Sequence, residues 1–336
     1  MINILGIETS CDDTSAAIVN HNFQILSNII SSQEIHNKYG GIVPEIASRQ
    51  HIINIVPVVD NALKQAKIEP RKLSAVAVST NPGLIGSLIV GVSFAKSFAY
   101  TLNIPLLAIN HILGHVYANF LHNRKLETPF IALVASGGHT ELVKFDDMHN
   151  FTILGRTRDD AAGEAFDKIG KLLNLPYPGG PEIDKLSKKG NRDFVKFPRA
   201  LNIKEDYDFS YSGLKTSVIT YLSKQTSDFI AQHLADICAS AQAAIVDIMI
   251  TKTIAVARKY KIKQICVAGG VAANSELRNL ITKQANKFGI NVSIPEPILC
   301  TDNGAMIAAA GIDKFKHREF SDLKLNAFST KGIRIL

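Results

Sequence analysis

Short apolar runs and helical patterns alternate along the first third of the chain. Three runs rich in isoleucine, valine and alanine are separated by polar turns, an arrangement typical of strands joined as hairpins. These runs are residues 2–8, 14–19 and 23–31. Apolar positions at helical spacing then predict a helix at residues 44–67, in which Pro57 would produce a kink or a break. A strand at 74–80, an apolar helix at 84–103 and a short strand at 106–110 follow.

The same order of elements returns further along the chain. Strands are predicted at residues 130–136, 140–145 and 151–157, and a helix at 161–174. Next come a Gly/Pro-rich stretch (175–181), an irregular charged region to about residue 212, and helices at 214–223 and 227–260. A strand at 264–268, a helix at 275–288, a strand at 291–294 and a helix at 303–315 end the pattern. A β-β-β-α-β-α unit therefore occurs twice, and this duplication predicts an α/β fold with two similar lobes around a central cleft.

The polar stretch at residues 121–128 is the expected boundary between the lobes. The first lobe would comprise residues 1–124, and the second residues 125–336 with a helical insertion at about 175–260. The helix at about residues 303–316 is the element that could pack back on the first lobe.

Composition narrows the class of protein. Hydrophobic residues make up 46% and charged residues 20% of the 336 residues, which is a globular rather than a disordered composition. No apolar stretch reaches the ~20 residues that span a bilayer, and the first residues lack the basic segment of a secretory signal. The four cysteines are far apart and form no Cys-x-x-Cys pair. We therefore expect a cytoplasmic protein with reduced thiols and no membrane association.

Charge is unevenly distributed along the chain. Residues 1–168 hold 13 Lys and Arg against 15 Asp and Glu, whereas the remainder holds 24 against 15, a net charge of +9. Such a basic half would attract a polyanion, although composition alone favours an ordinary solvated surface. The densest basic positions are Lys185, Lys188, Lys189, Arg192, Lys196 and Arg199, with Lys314, Lys316 and Arg318 near the end.

Three turns at strand ends carry glycines or hydroxyl groups. The first (residues 8–14) and the second, Ser136-Gly137-Gly138-His139-Thr140, occupy equivalent places in the two repeats. Backbone N–H groups without ladder partners can cradle an oxyanion there, and glycine lets the chain approach a phosphate closely. The third turn (268–274) leads from a strand into a helix and could seat a base and ribose at the helix N-terminus. Each turn alone could be an ordinary tight turn, but the three in this order favour a nucleotide site.

Two histidines form a candidate metal site. His111 and His115 are four residues apart and would share one helix face, which suits two imidazole ligands of one ion; paired structural histidines are the alternative. We choose Asp302, at the start of the final helix, as the third ligand, and its alternative role is a helix N-cap. This set suits iron(II) or zinc and leaves positions for a substrate oxygen. His139 could add a further ligand or contact a phosphate.

Carboxylates of the second half form another candidate group. Asp160, Glu164 and Asp167 would fall on one face of a partly buried helix, where a solvated acidic helix start is the alternative. Asp167 could hold an amine or hydroxyl group of a ligand. The loop at residues 177–184 is expected to be rigid, and its Asp184 could hold ribose hydroxyls.

Nine segments together resemble the bacterial TsaD family, the tRNA N6-adenosine threonylcarbamoyltransferases formerly described as O-sialoglycoprotein endopeptidases. The segments are residues 6–13, 40–45, 111–115, 136–140, 159–168, 177–181, 209–216, 269–274 and 300–306. The resemblance spans nearly the whole chain. There are two small departures: Asn81-Pro82-Gly83 stands where Gly-Pro-Gly is usual, and Ala135 where a larger aliphatic residue is common.

The resemblance implies the actin-like ATPase fold, also called ASKHA. It implies transfer of threonylcarbamoyl from threonylcarbamoyl-AMP to N6 of the adenosine just 3′ of the anticodon (adenosine 37), in tRNAs reading codons that begin with adenine. It implies one iron(II) ion per subunit at His111, His115 and Asp302, where zinc or another divalent metal would also fit. The implied substrate contacts are Val134, Ala135, Ser136, Gly137, Gly138, Asp167, Gly180, Asp184 and Asn274. The implied partners are tRNA, the ATPase TsaE and TsaB, which forms a heterodimer through helices of the first lobe.

The proton acceptor is the least defined part of this interpretation. The reaction requires the N6 amine to be aligned with an already activated carbonyl carbon, so a covalent enzyme intermediate is unnecessary. Glu8 and Asp12 are the candidates for a general base. Cys11 is a conceivable nucleophile but is more simply a small residue in a tight turn.

Three other functions remain as alternatives. A metalloprotease would need a glutamate after the first histidine, where this chain has Ile112, and this argues against proteolysis. A small-molecule kinase on the same fold would use an acidic base and magnesium rather than paired histidines. A nucleotide-dependent scaffold would change conformation with ATP without transferring a group.

Overall fold

The computed structural model describes residues 2–201 and 205–329. Internal contacts divide the chain into two units, one of Met1–Leu126 with Pro295–Leu336 and the other of Glu127–Ile294. Residues 295–329 therefore lie in the first unit. The sequence pattern predicts instead that they belong to the second lobe, with only the helix at about residues 303–316 packing back on the first.

The strands of the described residues form two five-stranded sheets. The strands are β1 (Asn3–Glu8), β2 (Asp13–Asn20), β3 (Ile25–Ser32), β4 (Ala75–Asn81), β5 (Leu106–Asn110), β6 (Phe130–Ala135), β7 (Thr140–Phe145), β8 (Phe151–Arg156), β9 (Gln264–Ala268) and β10 (Asn291–Ser293). The sheet orders are β3-β2-β1-β4-β5 and β10-β9-β6-β7-β8. In each unit the first three strands pair antiparallel and the last two join parallel. The repeated topology confirms the duplicated α/β lobes.

Helices connect and cover these strands. The α-helices of the described residues are α1 (Pro44–Ala66), α2 (Ile85–Leu102), α3 (His111–His122), α4 (Ala162–Leu172), α5 (Gly179–Ser187), α6 (Ser212–Leu222), α7 (Ser227–Gln232), α8 (Leu234–Lys259), α9 (Ser275–Asn286), α10 (Pro297–Cys300) and α11 (Gly304–Lys316). Short 3₁₀ helices lie at Glu34–Tyr39, Pro70–Lys72 and Gly270–Ala273.

Helices pack on both faces of the first sheet. Leu5 and Ile7 belong to the same core cluster as residues of α1 and α2, whereas Gly6 faces α11, because successive strand side chains point to opposite faces. A Cβ at Gly6 would lie only 2.2 Å from the carbonyl oxygen of Gly304. With both faces covered, β1 is buried along its whole length and reads as an apolar run rather than as an alternating one.

Two predicted elements differ in the structure. Pro57 lies inside a continuous α1 and does not end it. Pro57 and Ile53 are both exposed, so the Ile53 carbonyl that loses its intrahelical donor can be hydrated. The region after residue 178 was expected to be an irregular or rigid loop, but it forms α5 from Gly179. The Asp167 carboxylate accepts a hydrogen bond from the Gly179 N–H at 2.8 Å, so a tertiary contact starts this helix despite its two glycines.

Two helices of the described residues, α2 and α8, are long and apolar enough to cross a membrane by length and composition alone. In α8, 72% of the most apolar window is buried in the structure, as in the core helix of a globular protein, against 33% in α2. Helix α2 is apolar, as the sequence predicts, yet it exposes Ile85, Ile89 and Tyr100. One face of α2 therefore remains uncovered in the first unit.

Candidate functional site

Helix α3 positions the two histidines of the first unit. It starts directly after β5, and the Asn110 side chain accepts a hydrogen bond from the Leu113 N–H at 3.0 Å, which caps the helix. His111 and His115 therefore occupy the first two turns and point the same way, as the four-residue spacing predicts. Both imidazoles are buried.

Asp302 lies between α10 and α11, and the beginning of α11 is held in three ways. The Asn303 side chain caps the helix by accepting a hydrogen bond from the Met306 N–H at 2.9 Å, so Asp302 is not the N-cap. The Gly304 N–H donates to Ser15 Oγ on β2 at 2.8 Å. A Cβ at Gly304 would lie 2.6 Å from the backbone nitrogen of Ala17, so this close approach requires glycine. The Asp302 carboxylate therefore does not serve as the cap of α11.

The three predicted ligands come together. Asp302 Oδ1 lies 3.2 Å from His115 Nε2 and 3.5 Å from His111 Nε2. One ligand atom from each residue lies within 4.8 Å of the other two, a spacing at which a single metal ion could contact all three. His139 belongs to the second unit, where its N–H donates to Ser136 Oγ at 3.2 Å.

The donor atoms themselves fit a divalent metal. Both ring nitrogens of His115 are buried and form no hydrogen bond of ordinary geometry with any described residue, even though Nε2 faces Asp302. An unsatisfied buried nitrogen is costly unless a ligand takes up its lone pair. Two imidazoles and one carboxylate form a donor set that suits iron(II) or zinc.

The other ring nitrogen of His111 has its own partners. His111 Nδ1 lies 3.0 Å from Glu8 Oε2 and 3.1 Å from Ser10 Oγ, and the Ser10 N–H donates to Glu8 Oε1 at 2.5 Å. Nδ1 therefore donates to the carboxylate, and this leaves Nε2 to face Asp302. Glu8, one candidate for the general base, is fully buried and engaged in orienting His111. Ser10 was not singled out from the sequence, since only the folded hairpin brings it to the histidine.

Electrostatics also separates the two histidines. Burial disfavours a charge on both rings, but the Asp302 and Glu8 carboxylates outweigh burial at His111 and raise its pKa to about 9. At His115, burial is the dominant effect and lowers the pKa, although Asp302 opposes it. In the absence of a metal, a protonated imidazole therefore lies beside a neutral one.

Carboxylates crowd the loop between β1 and β2. Burial raises the pKa of Asp12, the other base candidate, and the nearby Asp302 carboxylate adds to the shift. Burial also raises the pKa of Asp13 to about 7, although a hydrogen bond with Ser32 acts to lower it. The Asp302 and Asp12 carboxylates raise this pKa further. Like charges held this close repel one another, so a bound cation would be favoured here.

Cys11 in this loop is not an activated nucleophile. Burial raises the pKa of its thiol well above the usual range, and the Asp12 and Asp302 carboxylates add to the effect. Its carbonyl accepts a hydrogen bond from His51 Nε2 at 2.9 Å, while His51 Nδ1 lies 2.8 Å from Thr14 Oγ1. His51 therefore fixes the backbone of the loop, and Cys11 is a small residue within it.

In the second unit, the turn between β6 and β7 forms an open hairpin. The Ser136 N–H donates to the His139 carbonyl at 2.8 Å, which closes the turn. Gly137 and Gly138 are exposed, and their N–H groups donate to no described residue. A Cβ at either glycine would meet nothing within 4 Å, and neither has a positive φ, so internal packing does not demand glycine here. The hairpin thus offers two backbone donors and space for an anion.

Helix α4 connects this hairpin to α5. The Gly163 N–H donates to the Ser136 carbonyl at 3.1 Å, and a Cβ at Gly163 would lie 2.8 Å from the Gly137 Cα. Further along α4, Asp167 caps the N-terminus of α5 at Gly179, next to Gly180. Asp160 and Glu164 form ion pairs with Lys168 of α4, whereas Asp167 contacts the start of α5.

The third glycine turn lies at the same edge of the second sheet. Gly269 has a φ of 87°, and a Cβ there would lie 2.4 Å from the Ala135 carbonyl at the end of β6. The turn leads into α9, where Asn274 Oδ1 accepts a hydrogen bond from the Leu277 N–H at 2.9 Å. Asp184 reaches the same place, because its Oδ1 accepts from Ser275 Oγ at 2.8 Å. Two of the implied substrate contacts, Asp184 and Asn274, therefore lie at one helix start.

Other predicted residues are less accessible. The side chains of Val134 and Ala135 are fully buried in β6, so at these two positions only the backbone next to the hairpin could meet a ligand. Arg192 and Arg199 are not free basic groups either, since both bind Asp247, at 2.7 and 2.8 Å. Lys189 and Lys196 of the same region are exposed.

Sequence reasoning assigned no role to the segment at residues 209–216. The Asp159 carboxylate accepts hydrogen bonds from the Tyr211 N–H at 2.7 Å and from the hydroxyls of Ser210 and Ser212 at 2.5 and 2.7 Å. Burial opposes the Asp159 charge, but these hydrogen bonds outweigh it and lower its pKa. Asp159 thus anchors the start of α6, a connection across 50 residues that no local pattern reveals.

Comparison with known sequences agrees with the family resemblance described above. The family model described as TsaD, tRNA N6-adenosine threonylcarbamoyltransferase, matches residues 24–309. The chain is 50% identical to the curated protein of that name from Desulfitobacterium hafniense (strain Y51) over 327 residues, covering 97% of this chain and 96% of that protein. It is also 50% identical over 326 residues to the protein of the same name from Moorella thermoacetica, covering 97% of this chain and 95% of that protein.

Solved structures with the same fold are much more distant in sequence. Component A of (R)-2-hydroxyglutaryl-CoA dehydratase from Acidaminococcus fermentans matches with a TM-score of 0.56 at 14% identity, covering 94% of this chain and 99% of that one. HypF from T. kodakarensis matches with a TM-score of 0.61 at 14% identity, covering 94% of this chain and 48% of that one. These likenesses establish the actin-like ATPase fold.

Proposed function

The chain belongs to the TsaD family of tRNA N6-adenosine threonylcarbamoyltransferases, and from this premise we propose the following reaction and site. The chain is an acyltransferase that forms N6-threonylcarbamoyladenosine in tRNA. The donor is threonylcarbamoyl-AMP, and the acceptor is the adenosine 3′ of the anticodon in tRNAs that read codons beginning with adenine. The observation that carries the proposal is the convergence of Asp302 with the two buried histidines, His111 and His115.

The reaction exchanges one bond at the carbamoyl carbon. The N6 amine of adenosine attacks that carbon, the bond from the carbon to the phosphate oxygen breaks, and AMP leaves with the electron pair. N6 loses one proton. The protein must align the amine, stabilise charge on the departing phosphate and accept that proton, and none of these tasks requires a covalent intermediate.

We assign one divalent metal ion, iron(II) by preference, to His111, His115 and Asp302. Such an ion would supply Lewis-acid polarisation and a fixed point for the donor. Glu8 and Ser10 hold the His111 ring with Nε2 toward Asp302. With Glu8 engaged in this way, Asp12 is the remaining candidate for the proton acceptor, because its raised pKa gives a more basic carboxylate than usual.

The second unit supplies the groups for the nucleotide. The free amides of Gly137 and Gly138 would bind phosphate or carbamoyl oxygens. The start of α9, with Asn274 and Asp184, would hold the adenosine of the donor. Asp167 positions Gly180 through the first N–H of α5.

The tRNA binds through phosphate contacts with basic side chains of the second unit, in the cytoplasm. Between residues 185 and 199, Lys189 and Lys196 are exposed and pair with no carboxylate of the described residues, whereas Lys185, Lys188, Arg192 and Arg199 each do. Neutralising phosphates releases counterions, so this binding will weaken steeply as salt rises.

Partner binding is assigned to an apolar surface of the first unit, formed by Ile52, Ile53 and Val56 of α1 with Ile85 and Ile89 of α2. The two helices are adjacent, since a Cβ at Gly86 would lie 3.2 Å from the Ser48 Cβ. Exposed apolar surface of this kind is typical of an interface. We assign it to TsaB, with the ATPase TsaE as the third component. Light scattering of the mixture should give a heterodimer with wild-type protein and separate monomers with Ile53→Asp.

Activity with defined metal content tests the proposal. The metal-free chain, the chain reloaded with iron(II), and the His111→Ala/His115→Ala variant are each incubated with threonylcarbamoyl-AMP and unmodified tRNA, with and without TsaB and TsaE. Only the reloaded chain should form the modified nucleoside, and circular dichroism should show the variant folded. Full activity of metal-free protein would refute the metal assignment. Phosphorylated sugar made from ATP would favour a kinase, cleaved peptide a protease, and ATP-driven change without transfer a scaffold.

A further inference from the structure

A chain of polar side chains leads from the start of α9 into the charged segment after α5. Its members, in order, are Asn274, Gln242, Glu276, Arg192, Asp247 and Arg199. Asn274 Nδ2 lies 2.6 Å from Gln242 Oε1, and Gln242 Nε2 lies 2.9 Å from Glu276 Oε2. Arg192 Nε donates to the other oxygen of Glu276 at 2.8 Å. All these residues lie in the second unit.

The charged end of this chain fixes the direction of every hydrogen bond in it. An ionised carboxylate only accepts, so Glu276 requires the NH₂ group of Gln242 to face it. The carbonyl oxygen of Gln242 then faces Asn274 and requires an N–H there. Asn274 must in turn direct Oδ1 to the Leu277 N–H, where it caps α9. Reversing either amide would bring two oxygens or two N–H groups together.

Burial makes this direction strict. Gln242 is 2% exposed and Asn274 is 8% exposed, so water cannot easily replace a missing partner. At the other end, Arg192 also binds Asp247, and Asp247 binds Arg199, so the guanidinium cannot simply swing away from Glu276. The orientation of the Asn274 amide is therefore held from two sides, by the Leu277 N–H that its Oδ1 caps and by the Glu276 carboxylate two side chains away.

We propose that Arg192, Glu276 and Gln242 are positioning residues that hold the Asn274 amide with one N–H left to offer to a ligand. The Oδ1 atom of Asn274 accepts the hydrogen bond that caps α9, and one of the two N–H groups of the amide donates to Gln242. The ligand group at this place is therefore a hydrogen-bond acceptor, either a ring nitrogen of adenine or a ribose oxygen. This inference rests on the proposed function, which places the adenosine of the donor at this turn.

AMP is the probe for a calorimetric test with the full chain. Glu276→Gln removes the carboxylate that forces the direction, and Gln242→Leu breaks the chain at its centre. Arg192→Gln acts from the half-exposed end and is the variant least able to disturb folding. Glu182→Gln is the matched control, because this residue forms a surface ion pair with Lys185 at 3.8 Å. Circular dichroism and thermal unfolding are recorded for each variant.

Each variant of the chain should bind AMP about tenfold more weakly, as expected for the removal of one hydrogen bond, and the control should bind as the wild type does. Binding of 7-deaza-AMP, 2′-deoxy-AMP and 3′-deoxy-AMP is measured in parallel. The wild type should bind the analogue that lacks the accepting atom about tenfold more weakly than AMP, whereas each variant should bind that analogue and AMP almost equally well. A merely structural role would not remove this difference in affinity.

The inference would be overturned if the folded variants bound AMP as tightly as the wild type does. It would also be overturned if the analogues lost as much affinity with the variants as they do with the wild type. Absence of AMP binding to the wild-type chain would give a different conclusion. It would contradict the nucleotide assignment itself, and the positioning role would fall with it.

Discussion

At the scale of single residues, two adjacent imidazoles are given different properties by their neighbours. His111 donates from Nδ1 to Glu8 and faces Asp302 with Nε2, whereas His115 also faces Asp302 with Nε2 but forms no hydrogen bond of ordinary geometry with any described residue. The first ring therefore holds a proton when no metal is bound, and the second does not. A metal that binds here must displace one proton, which ties its affinity to pH.

The pH dependence of stability follows from His111. Its folded pKa of about 9 lies above the ordinary value of 6.5, so the folded state binds the proton more tightly than the unfolded state. This contribution is complete below about pH 6.5 and disappears as pH rises through 9. The midpoint of thermal unfolding of the metal-free chain should fall by roughly 3 °C or more between pH 7 and 9. His111→Asn should show a much flatter profile; an identical slope in this variant would contradict the assigned proton.

Metal affinity should depend on Glu8 without any direct contact between the two. Glu8→Gln keeps the shape of the side chain but removes the charge that orients His111, so affinity for cobalt(II) should fall roughly 10- to 100-fold. Competition with a chromophoric chelator measures this. Glu34→Gln, at an exposed carboxylate, is the control and should bind as the wild type does. Unchanged affinity in Glu8→Gln would mean that the carboxylate has no orienting role.

At the scale of elements, the packing of α11 against the first sheet places Asp302, one of the three proposed metal ligands. Gly6 and Gly304 allow backbone to approach backbone, and Ser15 ties the first N–H of α11 to β2. Asp302 precedes this anchored start by two residues. The geometry of the site therefore depends on glycines that do not touch it.

Adding one methyl group at the start of α11 tests this dependence. The new Cβ of Gly304→Ala would lie 2.6 Å from the Ala17 backbone nitrogen, which cannot move without displacing β2. We expect a decrease of about 1–3 kcal/mol in the free energy of unfolding, together with weaker metal binding. Gly213→Ala, where a Cβ meets nothing within 4 Å, should be neutral or slightly stabilising. Equal stability of both variants would show that α11 does not need the close approach.

Local pattern predicts the elements of this fold better than it predicts their tertiary contacts. The two hairpin-led strand sets and the face shared by His111 and His115 follow from periodicity, and all of them are found in the structure. Helix α5 was missed because its cap, Asp167, comes from another helix. Ser10, Gln242 and the Asp159 anchor were missed for a related reason, since each acts through a partner distant in sequence. From the sequence Glu8 is one of two candidates for the general base, and its hydrogen bonds with His111 and Ser10, which only the fold creates, show that it orients the histidine ring.

At the scale of the whole molecule, one topology is used twice with different chemistry. Both sheets have the same strand order, but the first unit carries imidazoles and carboxylates and the second carries glycine turns and basic side chains. The surplus positive charge of the second half is partly consumed by internal ion pairs at Arg192 and Arg199. Only the exposed part of that charge is available to a polyanion.

Binding of tRNA should therefore depend on particular lysines. Lys189→Gln/Lys196→Gln should weaken tRNA binding and lower the slope of log affinity against log salt by roughly one for each phosphate that is no longer neutralised. Filter binding between roughly 50 and 200 mM salt measures both the affinity and its slope against salt. Lys72→Gln, on an exposed lysine of the first unit, is the control. A wild-type affinity that hardly changed with salt would exclude the phosphate contacts.

The most direct measurement follows the threonylcarbamoyl group itself. The iron-loaded chain with its partner proteins is given donor labelled at the carbamoyl carbon, together with unmodified tRNA, and the digested tRNA is examined by mass spectrometry. We predict that one label per tRNA appears on N6 of the adenosine next to the anticodon, with one AMP released for each transfer. Label recovered in bicarbonate or on the protein, with adenosine left unmodified, would contradict the account.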